Sequence, residues 1–135
     1  MEPGEARERF ASGRVARLGT VTPDGSPHLV VVTFALDGDS IYTAVDQKPK
    51  RTRALKRLAN IERNPHVALL TDHWDDADWS QLWWVRADGR AQVHESHPHA
   101  LALLTERYEQ YRDDPPAGPV IEVAVERWSG WSAAG

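Results

Sequence analysis

The stretch TPDGSP, residues 22–27, constrains this chain more than any other. Pro, Asp-Gly and Pro in so short a span force a tight reversal. The runs on either side, RVARLGTV (14–21) and HLVVVTFAL (28–36), are rich in β-branched and aliphatic residues. Two β-prone runs across a tight turn must pair antiparallel. A second reversal, DGD (37–39), leads into SIYTAV (40–45). The pattern predicts a three-strand antiparallel meander. Residues 28–36 are apolar on both faces in their middle, which is the signature of a central strand.

The rest of the chain adds more strands than helices. Glu2 to Ser12 reads as a short helix stopped by Gly13. HVALLTD (66–72) is a fourth strand, and HWDDADWSQ (73–81) is an acidic loop with two tryptophans. LWWVRADGRAQVHE (82–95) admits either a hairpin at Asp88-Gly89 or one long strand bulged at Gly89. SHPHALALLTERYEQYR (96–112) reads as a long helix capped at Ser96, and VIEVAVERW (120–128) as the last strand. Strands outnumber helices, so a β-barrel with a few helices is the expected architecture. A chain of 135 residues makes one domain the expectation.

Charge then isolates one segment. The chain carries a net charge of −4, yet residues 46–63 hold seven Lys/Arg against Asp46 and Glu62. A cationic island on an anionic surface suits one localised anion better than a long polyanion, so no nucleic-acid partner is expected. Pro49 fits the first helical position, and Pro65 ends the helix near Arg63. On the helical wheel Leu55, Leu58 and Ala59 mark the core side, with Arg53, Lys56 and Arg57 opposite on a solvated face. Arg51 projects along the core stripe at the helix start, where free N–H groups favour an anion. Lys48, Lys50, Arg51 and Thr52 therefore look like a phosphate cradle. The competing reading lets Arg51 snorkel outward.

Other chemistries find little support. The absence of cysteine excludes disulfides, thiolate metal sites and cysteine nucleophiles. His94, His97 and His99 lack a recognised zinc spacing, so no metal is expected. Asp75, Asp76 and Asp78 lie in a loop without the glycine-bearing layout of a calcium site. The charged N-terminus and the lack of a long apolar run point to a soluble cytoplasmic protein that uses no membrane.

Taken in order, GTVTPDGSPHLVVVTF, KPKRTRALKRL, NPHVALL, DWSQLWWVRADGRAQV and ERWSGW resemble the pyridoxamine 5'-phosphate oxidase-like split β-barrels. They look closest to the branch that uses the deazaflavin coenzyme F-420. The resemblance spans nearly the whole chain and implies an α+β, mainly β fold. That fold is a split barrel of about six to seven antiparallel strands with two to three helices. It implies a cofactor ring along the backbone of Val30, Val31, Val32 and Thr33. Tyr42 and Thr43 would lie near the ribityl-phosphate chain, with the phosphate on Lys48, Lys50, Arg51 and Thr52. It favours the single bulged strand over the hairpin, which lets Trp84 reach the ring. Trp128, in W-x-G, would serve the partner's cofactor across a homodimer interface.

The implied activity is hydride transfer from reduced coenzyme F-420 to a small quinone, enone or tetrapyrrole. The alternatives are an FMN-dependent reductase or oxidase of the same fold, or a non-catalytic flavin-binding or storage protein. No acid–base or nucleophilic side chain is needed when the cofactor carries the chemistry. Trp79, Trp83, Trp131 and Arg86 are candidates for the substrate pocket. An Arg-x-His near the C-terminus, which the oxidase uses for its substrate's phosphate, has no match, so pyridoxamine phosphate oxidation is not expected.

Overall fold

The first reversal closes as its residues demand. Gly25 takes a left-handed φ of 86°, and the Asp24 carboxylate accepts from the Thr22 hydroxyl and the Ser26 amide. Those bonds, the Thr22 hydroxyl's first, hold the Asp24 carboxyl down at about 2. Gly38 makes the second turn with φ 61°. The computed structural model describes residues 1–45 and 51–134. Lys48 and Lys50 therefore lie outside the described residues, as do the side chains of Arg51, Thr52, Arg53 and Leu55.

Among the described residues seven strands form one antiparallel sheet: β1 (Ala16–Val21), β2 (Pro27–Val32), β3 (Ala35–Asp37), β4 (Ser40–Ala44), β5 (His66–His73), β6 (Trp83–His94) and β7 (Val120–Ser132). Four α-helices accompany them: α1 (Pro3–Ser12), α2 (Arg51–Arg63), α3 (Pro98–Arg107) and α4 (Glu109–Asp113). The strand order is β2-β1-β5-β6-β7-β4-β3. The sheet curls into a split barrel whose two edge strands, β2 and β3, are consecutive in the chain.

The expected meander is therefore corrected. β1 pairs with β2 and β3 with β4, but β2 does not pair with β3. Residues 28–36 form two strands, not one, because the chain leaves the ladder at Phe34. The Phe34 amide donates to the Tyr108 hydroxyl at 3.1 Å, and the Phe34 carbonyl lies 3.0 Å from the same oxygen. A side chain thus satisfies backbone groups that a neighbouring strand would otherwise take. The expectation of a central strand also fails. β2 is an edge strand, with Leu29 69% and Val31 64% exposed.

Residues 82–95 resolve as one strand. β6 pairs along its length with β5 and β7, and the register slips between Asp88 and Gly89. The extra residue is Glu126 on β7, opposite Gly89. A Cβ at Gly89 would lie 2.3 Å from the Ala124 carbonyl oxygen, so only glycine fits this approach. The expected long helix over 96–112 divides into α3 and α4, which raises the helix count to four. Tyr108 takes extended backbone (φ −118°, ψ 117°) between them, and this turns its hydroxyl towards Phe34.

The barrel interior is filled by Phe10, Leu18, Phe34, Ile41, Leu69, Val85, Ile121 and Val123. A second cluster lies outside the sheet, where Ala100 and Leu104 of α3 pack on Ala35, Tyr42, Ala44 and Val120. Among the described residues no helix is long and apolar enough to cross a membrane.

Candidate functional site

Alternation along the strands sorts the candidate residues onto two faces. On β6, Trp83, Val85 and Ala87 face the barrel interior, while Trp84, Arg86 and Asp88 face outward. Trp83 and Trp84 therefore point to opposite faces, as expected. Trp131 pairs across the ladder with Trp84 and shares its outer face, 47% exposed. Trp128 pairs with Ala87 and turns inward. Its indole N–H donates to Asp39 at 3.0 Å, and its ring meets Phe10 edge-on at 5.3 Å. The Trp128 N–H, helped by Arg7, holds the Asp39 carboxyl below the usual range. Trp83 packs on the barrel core and stacks on His73, with the Arg9 guanidinium over its ring at 5.7 Å.

Among the described residues nothing of the chain covers the outer face of β2, β1, β5 and β6, and its middle is apolar. Leu29, Leu70, Leu82 and Trp84 line a cleft of about 600 Å³ there. Gly19 leaves room for Leu29, since a Cβ at Gly19 would come 3.3 Å from its methyl group. Two ion pairs rim the cleft, Arg17–Asp72 at 3.0 Å and Arg86–Asp88 at 2.9 Å. The loop joining β5 to β6 stands at one end, its feet at Asp72 and Leu82 both lining the cleft. In that loop Trp74 and Trp79 pack together at 5.2 Å between centroids, yet each is more than half exposed. Trp79 opens a single 3-10 turn (Trp79–Gln81) capped by the Asp78 carboxylate. The two Ser80 bonds hold the Asp78 carboxyl below its usual range.

The three β2 candidates divide by face, and Thr33 follows the strand. Val31 is exposed, Val32 is buried, and Val30 packs against the barrel core. The Thr33 hydroxyl shares a hydrogen bond of 2.7 Å with the Tyr111 hydroxyl. Tyr42 lies beneath α3, its ring 5.0 Å from that of His97. Burial pushes the Tyr42 hydroxyl up, opposed by a hydrogen bond with Ser40 and helped by the smaller effects of the Glu122 and Asp37 charges. Thr43 is fully buried on the interior side, its hydroxyl without a partner among the described residues.

The sequence reading missed one part of the site. Arg57 is only partly exposed, and its Nε has no partner among the described residues. Burial lowers its pKa. The wheel is rotated from the expected one. Leu58, Asn60 and Ile61 are buried, Ala59 is exposed, and Asn60 donates to the Thr20 hydroxyl at 3.1 Å. Arg57 precedes Asn60 and Ile61 by three and four residues and so shares their stripe. It faces His28 of β2. The His28 Nδ1 is also buried without a described partner, and burial, then Lys56 and Arg57, depress its pKa. Lys56 and His28 line a shallow hollow beside the 22–27 turn. No signal in the sequence links His28 to α2, because register alone brings them together.

These features fit a phosphorylated, planar aromatic group. An apolar cleft suits a ring system, while a buried guanidinium nitrogen and an imidazole nitrogen without partners among the described residues suit an anion. His28 and Leu29 are neighbours in β2, so the cationic group and the cleft lie on the two faces of one free-edged strand.

The family described as pyridoxamine 5'-phosphate oxidase matches residues 3–132. No curated protein matches. Among solved structures, a conserved hypothetical protein of Mycobacterium tuberculosis superposes with a TM-score of 0.77 at 21% identity, over 98% of this chain and 86% of that one. A FAD-binding protein of Mesorhizobium loti gives 0.72 at 19% identity, over 96% and 94%. The heme storage protein HutZ of Vibrio cholerae gives 0.70 at 17%, over 98% and 95%.

Proposed function

Since this chain belongs to the pyridoxamine 5'-phosphate oxidase family and has its flavin-binding split-barrel fold, we propose that it is a deazaflavin-dependent oxidoreductase. It passes a hydride from reduced coenzyme F-420 to a small electrophile of the quinone, enone or tetrapyrrole class. The observation that carries this reading is the edge strand β2. It exposes Leu29 and Val31 beside an apolar cleft on one face and, on the other, sets His28 near Arg57, whose Nε has no acceptor among the described residues.

When bound, the deazaflavin supplies the hydride. The chain's own residues bind, orient and exclude water. Arg57, Lys56 and His28, with Lys48, Lys50, Arg51 and Thr52 at the start of α2, hold the phosphate. An anion there relieves a desolvated guanidinium and repulsion on His28. The backbone of Val30, Val31, Val32 and Thr33 would flank the ring, whereas Tyr42, beneath α3, and Thr43, fully buried, lie away from the cleft. Trp84 and Arg86 wall the cleft, Trp131 shares the outer face beside Trp84, and Trp79 belongs to the loop whose feet reach the cleft. Trp83 supports this wall from the interior side.

A homodimer completes the site. A second copy covers the bare outer face, and Trp128 with its W-x-G segment lies at the end of β7 that borders that face. FMN is the second reading, because the phosphate contacts serve it equally and the M. loti relative is a FAD-binding protein. A storage role is the third, in keeping with the likeness to HutZ.

Side-by-side titrations with F-420 and FMN, followed by tryptophan fluorescence, test the assignment. Tight F-420 binding, weak FMN binding and turnover of a quinone such as menadione are the expected result. Preferential FMN binding would replace the deazaflavin reading. Binding of either without hydride transfer to any of the three substrate classes would leave storage.

A further inference from the structure

The half of the outer face beneath α3 holds a second group of polar side chains, remote in character from the apolar cleft. β6 ends at His94, and His97 caps the N-terminus of α3. Glu122 enters from β7 and pairs with Tyr42 on one side and Gln92 on the other. One Glu122 oxygen lies 2.8 Å from the His94 Nε2 and 3.9 Å from the His97 Nε2. One donor atom from each of the three residues falls within 4.8 Å of the others. Their side chains are 20–26% exposed, sheltered by α3 yet open to a solvated ion. Three elements, two strands and a helix cap, fix the three donors. A chance meeting of flexible surface chains has no such anchoring.

We propose that His94, His97 and Glu122 form a binding site for a divalent first-row metal ion, zinc in the first instance. Two imidazoles and one carboxylate are a donor set that zinc favours, and three protein ligands leave the fourth tetrahedral position to water. The sequence gives no zinc spacing because the third ligand is brought by the sheet, 28 residues from His94. The site is separate from the cofactor reading and stands whether or not that reading holds.

The cap makes binding visible. The His97 Nδ1 accepts the Ala100 amide at 3.1 Å, which places the proton of the neutral ring on Nε2. Zinc at Nε2 moves that proton to Nδ1, and the Ala100 amide loses its acceptor. Metal binding is thereby coupled to the first turn of α3. His99 is the internal control. It belongs to the same stretch but pairs with Asp37 at 2.8 Å instead.

The test is calorimetric titration of zinc(II) into the tag-free protein, with amide NMR alongside. One equivalent per chain is expected, with the Ala100 amide among the most shifted resonances. Glu122→Gln, close to isosteric, and His94→Ala should each weaken binding at least ~10-fold, while His99→Ala leaves it intact. Zinc should raise the melting temperature of the wild type and not that of Glu122→Gln. The proposal is overturned by no uptake at millimolar zinc or by uptake that both substitutions leave unchanged. An unmoved Ala100 amide at saturation, or an equal loss in His99→Ala, overturns it as well.

Discussion

The two halves of the outer sheet face carry the same strand alternation and meet opposite fates. Over β3, β4 and β7, α3 lays Ala100 and Leu104 on Tyr42, Ala44 and Val120, and all five are buried. Over β2, β1, β5 and β6 nothing of the chain covers Leu29, Val31 and Leu70 among the described residues. In the covered half Ala35, Ala44 and Ala100 leave room for the helix to lay Leu104 against Tyr42 and Val120. Large aliphatics and Trp84 line the bare half, with Arg–Asp pairs at its margin. A contiguous apolar patch left bare in a folded chain marks a surface made for another molecule. The first half holds the fold together, and the second is the proposed binding surface.

Substitutions that separate the halves break or sharpen this contrast. The largest effect belongs to the covered half. Leu104→Ala should cost about 2–5 kcal/mol of stability, read by chemical denaturation, because it empties a fully buried site. Its folded fraction should still bind cofactor. On the bare half, Val31→Asp should leave protomer stability nearly unchanged. It should convert dimer to monomer in sedimentation and weaken cofactor binding at least ~10-fold, about 1.4 kcal/mol. A Val31→Asp protein that unfolds, or that stays dimeric with full affinity, would erase the distinction.

The cationic side of β2 gives intermediate effects. Lys50→Ala combined with Arg51→Ala should abolish tight cofactor binding with little loss of fold, and Arg57→Ala should weaken it about tenfold. Removing a desolvated guanidinium that lacks a described acceptor should not lower the melting temperature. Arg53→Ala with Lys56→Ala should matter less in the same titration.

The smallest effect is a pH dependence at His28. Its folded pKa is depressed below the ordinary 6.5, so as pH falls below that value the unfolded chain takes up the proton first. Stability from this group is fully present above the unfolded pKa. It declines as pH falls, levelling once the folded form is protonated as well. Cofactor phosphate should raise the His28 pKa in an NMR titration, and His28→Gln should remove this part of the pH slope.

Much of the architecture was legible because turns are local. Asp24-Gly25 and Asp37-Gly38 set two reversals that the structure keeps, whereas Asp88-Gly89 left 82–95 open and only the family resemblance favoured one long strand, whose bulge falls at Glu126 of β7. The order and content of the motifs also pointed to the family. What failed was non-local. The break at Phe34 depends on a hydroxyl from Tyr108, 74 residues away, and the same tyrosine splits the last long helix in two. The placement of β2 at an edge follows from sheet order, which no single run of residues encodes. The helix wheel misplaced Arg57 because Asn60, a polar residue, is one of the buried anchors of α2. His28 and Glu122 entered their clusters through register alone.

Hydrogen exchange on the protein, with and without F-420, tests the central claim most directly. Added protection over residues 27–33 and the first turns of α2, with α3 and β4 unchanged, is the predicted result. Protection confined to the α3-covered half, or absent at saturating cofactor, would contradict it.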